Sequence, residues 1–302
     1  MKYRQRQLGV VPSPQDYRDY PLAKVTATRR SFPEQYTFPF LIPKPYDQSD
    51  IGACVPFSLK AIKEMQELQE RGQFISLSAA YIYGARQPTD FQGEGMIPRE
   101  ALHNLRVRGN CREAMFPGIY PYAVCAQSIT EAMHQDALPQ RIKTYAGIHT
   151  VDEIKTALME LGPVAIGISV YDSFYHGGHL PLPDKSTEKL HGFHMVSIVG
   201  WTRDNRWLTL NSWGSEWGEL KGYCTMPFNY AINERWALTD LVAREQADYE
   251  VTLSRAGRYW GVNFSPMFRT PGEAQKALLD PLQQDLTRSG KQLKIKKPRR
   301  IP

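Results

Sequence analysis

Between Val55 and Gln69 the apolar residues Leu59, Ile62, Met65 and Leu68 recur at the spacing of an amphipathic helix, and Gly72 follows as a stop signal. Two further helices are expected over 76–87 and 98–108. A fourth is expected from Asp152 to Leu161, where Val151, Ile154, Leu158 and Leu161 share a face and Gly162-Pro163 breaks the pattern. Beyond it the period changes. VAIGISVY, MVSIVGW, WLTLNSW and GYCTMPF are short β-branched or aromatic runs bounded by Gly, Asn and Asp, the pattern of strands. Helices in the first half and strands in the second predict an α+β protein whose halves pack face to face around a cleft.

The first 46 residues are rich in proline, tyrosine and charge, which favours an extended strap over helix. At the other end DYEVTLSR and RYWGVNF read as two strands meeting at Ala256-Gly257, and KQLKIKK as a third. TPGEAQKALLDPLQQDL reads as a helix capped by Thr270, with Glu273 three residues on. The expected division is therefore a strap over 1–46, a main domain over 47–242, a small α/β appendage over 243–287 and a tail over 288–302.

The charge changes this picture only at the tail. Of 37 bases and 31 acids, seven bases and no acid fall after residue 285, so the body is close to neutral. The tail is the segment expected to meet an acidic protein or nucleic-acid partner. No apolar run approaches the roughly 20 residues of a membrane span, and the start MKYRQRQLGV has no apolar core of a signal peptide. A cytoplasmic or virion-associated protein with no membrane contact is expected. The four cysteines, at 54, 111, 125 and 224, form no CxxC pair, so neither a disulfide scaffold nor a cysteine zinc site is expected. His176 and His179 in YHGGHLPLP lack a completing ligand set, and no metal is expected there.

Cys54 opens the long helix, where free backbone N–H groups and the helix dipole favour a thiolate. A lone cysteine there also suits simple packing. A nucleophile needs a base, an orienting group for the base and donors for an oxyanion. His194 opens the strand MVSIVGW, Asn211 lies 17 residues on in LNSWGSEWG, and Gln48 lies six residues before Cys54.

DQSDIGACVPFS, GFHMVSIVGW and NSWGSEWGELKGYC, in this order, resemble the glutamine–cysteine, histidine and asparagine blocks of the papain-like (C1 family) cysteine peptidases. LGVVPSPQDYRDY, LSAAYIYGARQ and GEGMIPREALHNLRVRGNCREAMFPGIYPY are similar to the strap, second helix and glycine strip of that family's propeptide-poor bacterial, archaeal and viral branch. The resemblance spans about residues 8 to 242. It implies a two-lobed papain-like fold with a helical lobe and a β-rich lobe, and a thiol-dependent peptidase that hydrolyses peptide or protein substrates through a thioester without a cofactor. It assigns Cys54 as nucleophile, His194 as its partner and general acid, Asn211 as orienter and Trp213 as a shield of their hydrogen bond. Gln48, with the Cys54 backbone N–H, would form the oxyanion hole.

Three departures bear on specificity. Pro56 follows the nucleophile where alanine is usual and is tolerated in a first helical turn. Met195 follows the histidine at a position that in the family borders a substrate pocket, and its bulk is expected to narrow that pocket. Glu94 replaces the first of two glycines in the substrate-binding strip, leaving Gly95 as the expected backbone partner. His191 lies three residues from His194, but only His194 directly precedes the alternating strand. Two rival functions are a catalytically silent papain-like structural or docking component of a larger assembly, and an amidase or transferase acting on cell-wall peptides.

Overall fold

A computed structural model describes residues 6–16, 19–29 and 31–239, together with strand segments at 254–256, 259–261 and 292–293. The chain divides into two compact units, Met1–Asp240 and Leu241–Pro302.

The first unit holds helices α1 (Cys54–Arg71), α2 (Ala79–Gly84), α3 (Pro98–Val107), α4 (Tyr122–Ser128), α5 (Glu131–Ala137) and α6 (Val151–Glu160). Its strands are β1 (Tyr36–Thr37), β2 (Thr144–Gly147), β3 (Val164–Tyr171), β4 (Gly178–His179), β5 (Leu190–Trp201), β6 (Arg206–Leu210), β7 (Tyr223–Pro227) and β8 (Ile232–Thr239). The architecture is α+β, as the change of period predicts. Local chemistry sets the ends of several elements. Gly72 ends α1 in the left-handed conformation at φ 65°, and Pro98 opens α3 where its missing N–H has no intrahelical role. Thr150 and Glu153 form a reciprocal capping box on α6.

The eight strands run in the order β2-β8-β3-β5-β6-β7-β4, with β1 added to β5, and every pairing except β4 with β7 is antiparallel. Strand β5 sits between two buried clusters and alternates between them. Met195 and Val199 join the cluster around α1, whereas Val196, Ile198 and Trp201 join the one on the other side of the sheet.

Helix α1 is buried nearly all round, which its apolar stripe alone does not predict. Lys60, Lys63, Glu64 and Glu67 are all buried. They are satisfied in pairs: Lys63 with Glu67, Lys60 with Glu113 at 3.0 Å, and Glu64 accepting from the Tyr46 hydroxyl at 2.5 Å and the Leu77 amide at 2.8 Å.

In the second unit, β9 (Ser254–Ala256) pairs antiparallel with β10 (Tyr259–Gly261), which pairs parallel with β11 (Gln292–Leu293). The helix expected over 270–286 lies outside the described residues, as does the basic tail apart from Gln292–Leu293. No described helix is long and apolar enough to cross a membrane.

Candidate active site

Gln48 and the start of α1 are held to the loop after β6 by backbone pairing. The Gln48 amide donates to the Ser212 carbonyl at 2.8 Å, the Gly214 amide donates to the Tyr46 carbonyl at 2.8 Å, and Asp47 bridges Trp213. The Ser212 hydroxyl donates to Gln48 Oε1 at 2.7 Å. That contact leaves Gln48 Nε2 as the donating end of the carboxamide. It reaches the Gln7 carbonyl at 3.1 Å and the Ile51 carbonyl at 2.7 Å.

His194 projects from β5 on the side opposite Met195, among Phe174 and Trp213. Its Nε2 lies 2.7 Å from Asn211 Oδ1. The same Oδ1 accepts the Ser212 backbone amide at 2.8 Å, and a backbone N–H can only donate. The Asn211 atom is therefore the oxygen, His194 Nε2 carries the hydrogen, and Nδ1 keeps its lone pair. Nδ1 is buried and has no hydrogen-bond partner among the described residues. The Trp213 ring centroid lies 4.9 Å from that of the imidazole, and Phe174 and Trp217 pack edge-on against Trp213.

Cys54, Gln48 and His194 are all 0% exposed. Burial pushes the Cys54 thiol up to about 11, opposed by the backbone N–H groups of Met195, Gly9, Val55 and Cys54 itself. Burial lowers the His194 imidazole to about 4, opposed by its bond to Asn211.

Gly95 and Met195 are both buried. The Gly95 amide donates to the Tyr83 hydroxyl at 2.8 Å, and its carbonyl accepts from Arg86 at 2.7 Å. The neighbouring Met96 backbone pairs with Gly9 and Val11. Glu94 holds the strip from behind, accepting from the Tyr83 hydroxyl and the Tyr122 amide. Met195 is fully buried and, with Tyr46, Phe57 and Leu210, lines a small pocket.

His191 is bound elsewhere, its Nε2 2.7 Å from Asp172 Oδ1. His179 faces Thr225. Among the described residues no group of three or more His, Cys, Asp or Glu side chains could hold a metal ion. Cys111, Cys125 and Cys224 are buried and unpaired, with thiols pushed up to about 12, 11 and 12 mainly by burial.

Two contributors have no strong signal in the sequence. Ser212 ties Gln48 to Asn211 and is hinted at only by its place inside the NSWG run. Arg86 is buried and donates to the carbonyls of Tyr83, Phe91, Gly93 and Gly95, shaping the whole strip. A single arginine after a short helix carries no such message.

The sequence profile described as papain family cysteine protease matches residues 40–237. An uncharacterized peptidase C1-like protein of Acanthamoeba polyphaga mimivirus is 28% identical over 222 residues, covering 67% of this chain and 70% of the viral protein. Cathepsin B-like cysteine proteinase 3 of Caenorhabditis elegans is 31% identical over 146 residues, covering 46% of this chain and 37% of the nematode protein. Among solved structures, xylellain, a cysteine protease from Xylella fastidiosa, superposes with a TM-score of 0.69 at 23% identity, covering 79% of this chain and 98% of that one.

Proposed function

The chain belongs to the papain family of cysteine proteases, and from that premise we propose that Cys54 is the nucleophile of a thiol peptidase whose base is His194 Nδ1. The observation that carries this reading is the pair of hydrogen bonds on Asn211 Oδ1, which leaves the one imidazole nitrogen able to take a proton without a partner of its own.

The Cys54 thiol gives its proton to His194 Nδ1 as the sulfur bonds to the carbonyl carbon of a peptide. Gln48 Nε2 and the Cys54 amide receive the oxyanion, a contribution of the kind worth roughly 10² to 10³ in turnover per donor. When the oxyanion collapses, the C–N bond breaks and the imidazolium returns its proton to the leaving amine. Water then attacks the thioester, losing a proton to Nδ1, and the C–S bond breaks to restore the thiol. Asn211 holds the ring throughout, and Trp213 keeps water from its bond.

The cleft offers backbone groups on both sides of an extended peptide: the N–H and C=O of Met96 on one side and the Phe193 carbonyl on the other. Recognition of this kind, by main-chain pairing, suits peptide and protein substrates. A cytoplasmic or virion-associated setting is the companion proposal, supported by the viral relative and the four unpaired cysteines. From its sequence, the tail over 288–302 is assigned an acidic protein or nucleic-acid partner.

The zero exposure of Cys54 favours a second reading, a papain-like domain without turnover that serves as a structural component. Cleavage of a mixed peptide library by the full chain and by Cys54→Ala separates the two. Hydrolysis that disappears in the variant is the expected result. Hydrolysis retained in the variant, or absent from both, contradicts the peptidase reading.

A further inference from the structure

Glu64 lies on α1 ten residues after Cys54, about 15 Å along the helix, and is 0% exposed. A carboxyl in that place must be satisfied inside the protein. Its Oε2 accepts the Tyr46 hydroxyl at 2.5 Å and its Oε1 accepts the Leu77 amide at 2.8 Å, with Lys60 Nζ 3.6 Å from Oε1. Lys60 also lies 4.2 Å from the centre of the Tyr46 ring and 3.0 Å from Glu113 Oε2. The Ser76 side chain adds a hydrogen bond to Tyr46. Tyr46 is thus held at its hydroxyl and on its face.

The main chain of Tyr46 belongs to the reaction centre. Its carbonyl accepts the Gly214 amide at 2.8 Å, Asp47 bridges Trp213 in antiparallel register, and the Gln48 amide donates to the Ser212 carbonyl at 2.8 Å. Residues 46–48 therefore pair with the run that follows Asn211. Ser49 turns the chain immediately afterwards at φ 53°, its amide donating to Asp47 Oδ1 at 2.8 Å. A residue other than glycine in the left-handed region is held there by its surroundings, so the loop has little slack. Displacing Tyr46 displaces Gln48.

The strength of the Tyr46 anchor depends on the charge of its acceptor. An ionised carboxylate accepts a hydroxyl about twice as strongly as a neutral oxygen does. Burial raises the Glu64 carboxyl to about 7, opposed by Lys60, the Leu77 amide and Tyr46 and reinforced by Glu113. Among the described residues these groups face it from α1, from the loops at 46 and 77 and from the segment after α3. The groups of the reaction centre lie outside this range, with His194 lowered to about 4 and Cys54 raised to about 11, both mainly by burial.

We propose that Tyr46 is a positioning residue for Gln48 and that the buried carboxyl of Glu64 sets its grip: ionised, it locks the loop at 46–48 against Ser212 and Gly214; protonated, it loosens that loop and lets Gln48 Nε2 drift from the place where an oxyanion forms. The inference rests on the thiol-peptidase reading, in which Gln48 is the oxyanion donor, and links that donor to a charge nearly three helical turns along α1 from the sulfur. A direct field of Glu64 on Cys54 needs no Tyr46 hydroxyl, so removing that hydroxyl alone separates the two.

The full-length protein, Tyr46→Phe and Glu64→Gln are compared between about pH 5.5 and 8.5, with glutamine labelled in ¹⁵N and the Gln48 side-chain amide assigned by its loss in Gln48→Glu. Thermal midpoints are followed alongside. In the parent the Gln48 amide should shift with one midpoint near 7, and kcat on a peptide substrate should rise roughly fivefold through it with KM little changed. Both changes should vanish in Tyr46→Phe, which keeps the ring, and in Glu64→Gln, whose kcat should stay at the parent's low-pH level. A parent Gln48 signal without that midpoint, or a midpoint that persists in either variant, overturns the proposal. Should Tyr46→Phe fail to fold, Glu64→Gln decides. A Gln48 signal that titrates only in the parent, in a protein that hydrolyses no peptide, upholds the network while rejecting the peptidase reading, so the two failures are distinguishable.

Discussion

Ser212 joins the two halves of the reaction centre: its hydroxyl donates to Gln48 at 2.7 Å, and its backbone amide donates to Asn211 at 2.8 Å. One residue thereby fixes both the Gln48 carboxamide and the Asn211 oxygen bonded to the imidazole. Ser212→Ala removes the first link and keeps the second. It should lower kcat by roughly tenfold with little change in KM, because a displaced oxyanion donor acts on the transition state. Gln48→Ala should cost roughly 10² to 10³, and the double variant should be no worse than Gln48→Ala alone. Additive losses in steady-state kinetics would show that Ser212 does not act through Gln48.

The tautomer of His194 is directly observable. With Nε2–H held on Asn211, the folded protein at neutral pH should show a protonated Nε2 and a pyridine-type Nδ1 in ¹⁵N imidazole spectra. In Asn211→Ala the two tautomers should mix, and kcat should fall. A protonated Nδ1 in the parent protein would contradict the assigned base.

Two buried groups should oppose each other in the pH dependence of stability. His194 binds its proton near 6.5 when unfolded and near 4 when folded, so between these values only the unfolded chain holds it. Stability is therefore lost as pH falls through that window, by about 1.4 kcal/mol per pH unit where the occupancies differ fully. Glu64 is raised from 4.5 to about 7 mainly by burial, so its contribution is complete below 4.5 and is lost as pH rises through 7. From 4.5 to 6.5 the slopes have opposite signs. Glu64→Gln removes one of them, and its thermal midpoint should fall more steeply than the parent's on acidification from pH 6.5 to 4.5. Parallel curves would exclude a titrating Glu64 in the core.

Arg86 is a buried cation neutralised by carbonyl dipoles and by the tyrosine faces beside it, with the Tyr122 ring 3.9 Å from its guanidinium. Arg86→Met leaves several carbonyls without donors and should cost roughly 3–5 kcal/mol in denaturant unfolding. Lysine offers a point charge in place of a planar fork, so Arg86→Lys should recover less than half of the loss. Unchanged stability in Arg86→Met would mean the strip is held by other contacts.

What the sequence makes legible follows from what is periodic or contiguous. Helix α1 and strand β3 emerge because their apolar positions repeat, and VAIGISVY coincides with Val164–Tyr171. Helices α4 and α5 do not, because Pro121 and the break at Ile129–Thr130 leave two seven-residue pieces with barely two turns each. Strand β8 is also hidden: Asn233 and Glu234 interrupt its alternation, and only the fold supplies their partners Ser169 and Trp236. The Gln48, His194 and Asn211 contacts belong to residues singled out by type and spacing. The hydrogen bonds that hold Gly95 depend on where Tyr83 and Arg86 reach across the strip, which no local pattern records.

The central claim is that Cys54 is the reactive thiol of a peptidase. The full-length protein should be incubated with a peptidyl epoxide and digested for mass spectrometry, with His194→Ala as control. The account predicts a single adduct on Cys54, loss of peptide hydrolysis in step with its formation, and little adduct in the control. An adduct confined to Cys111, Cys125 or Cys224, or hydrolysis that continues after Cys54 is fully modified, would contradict it.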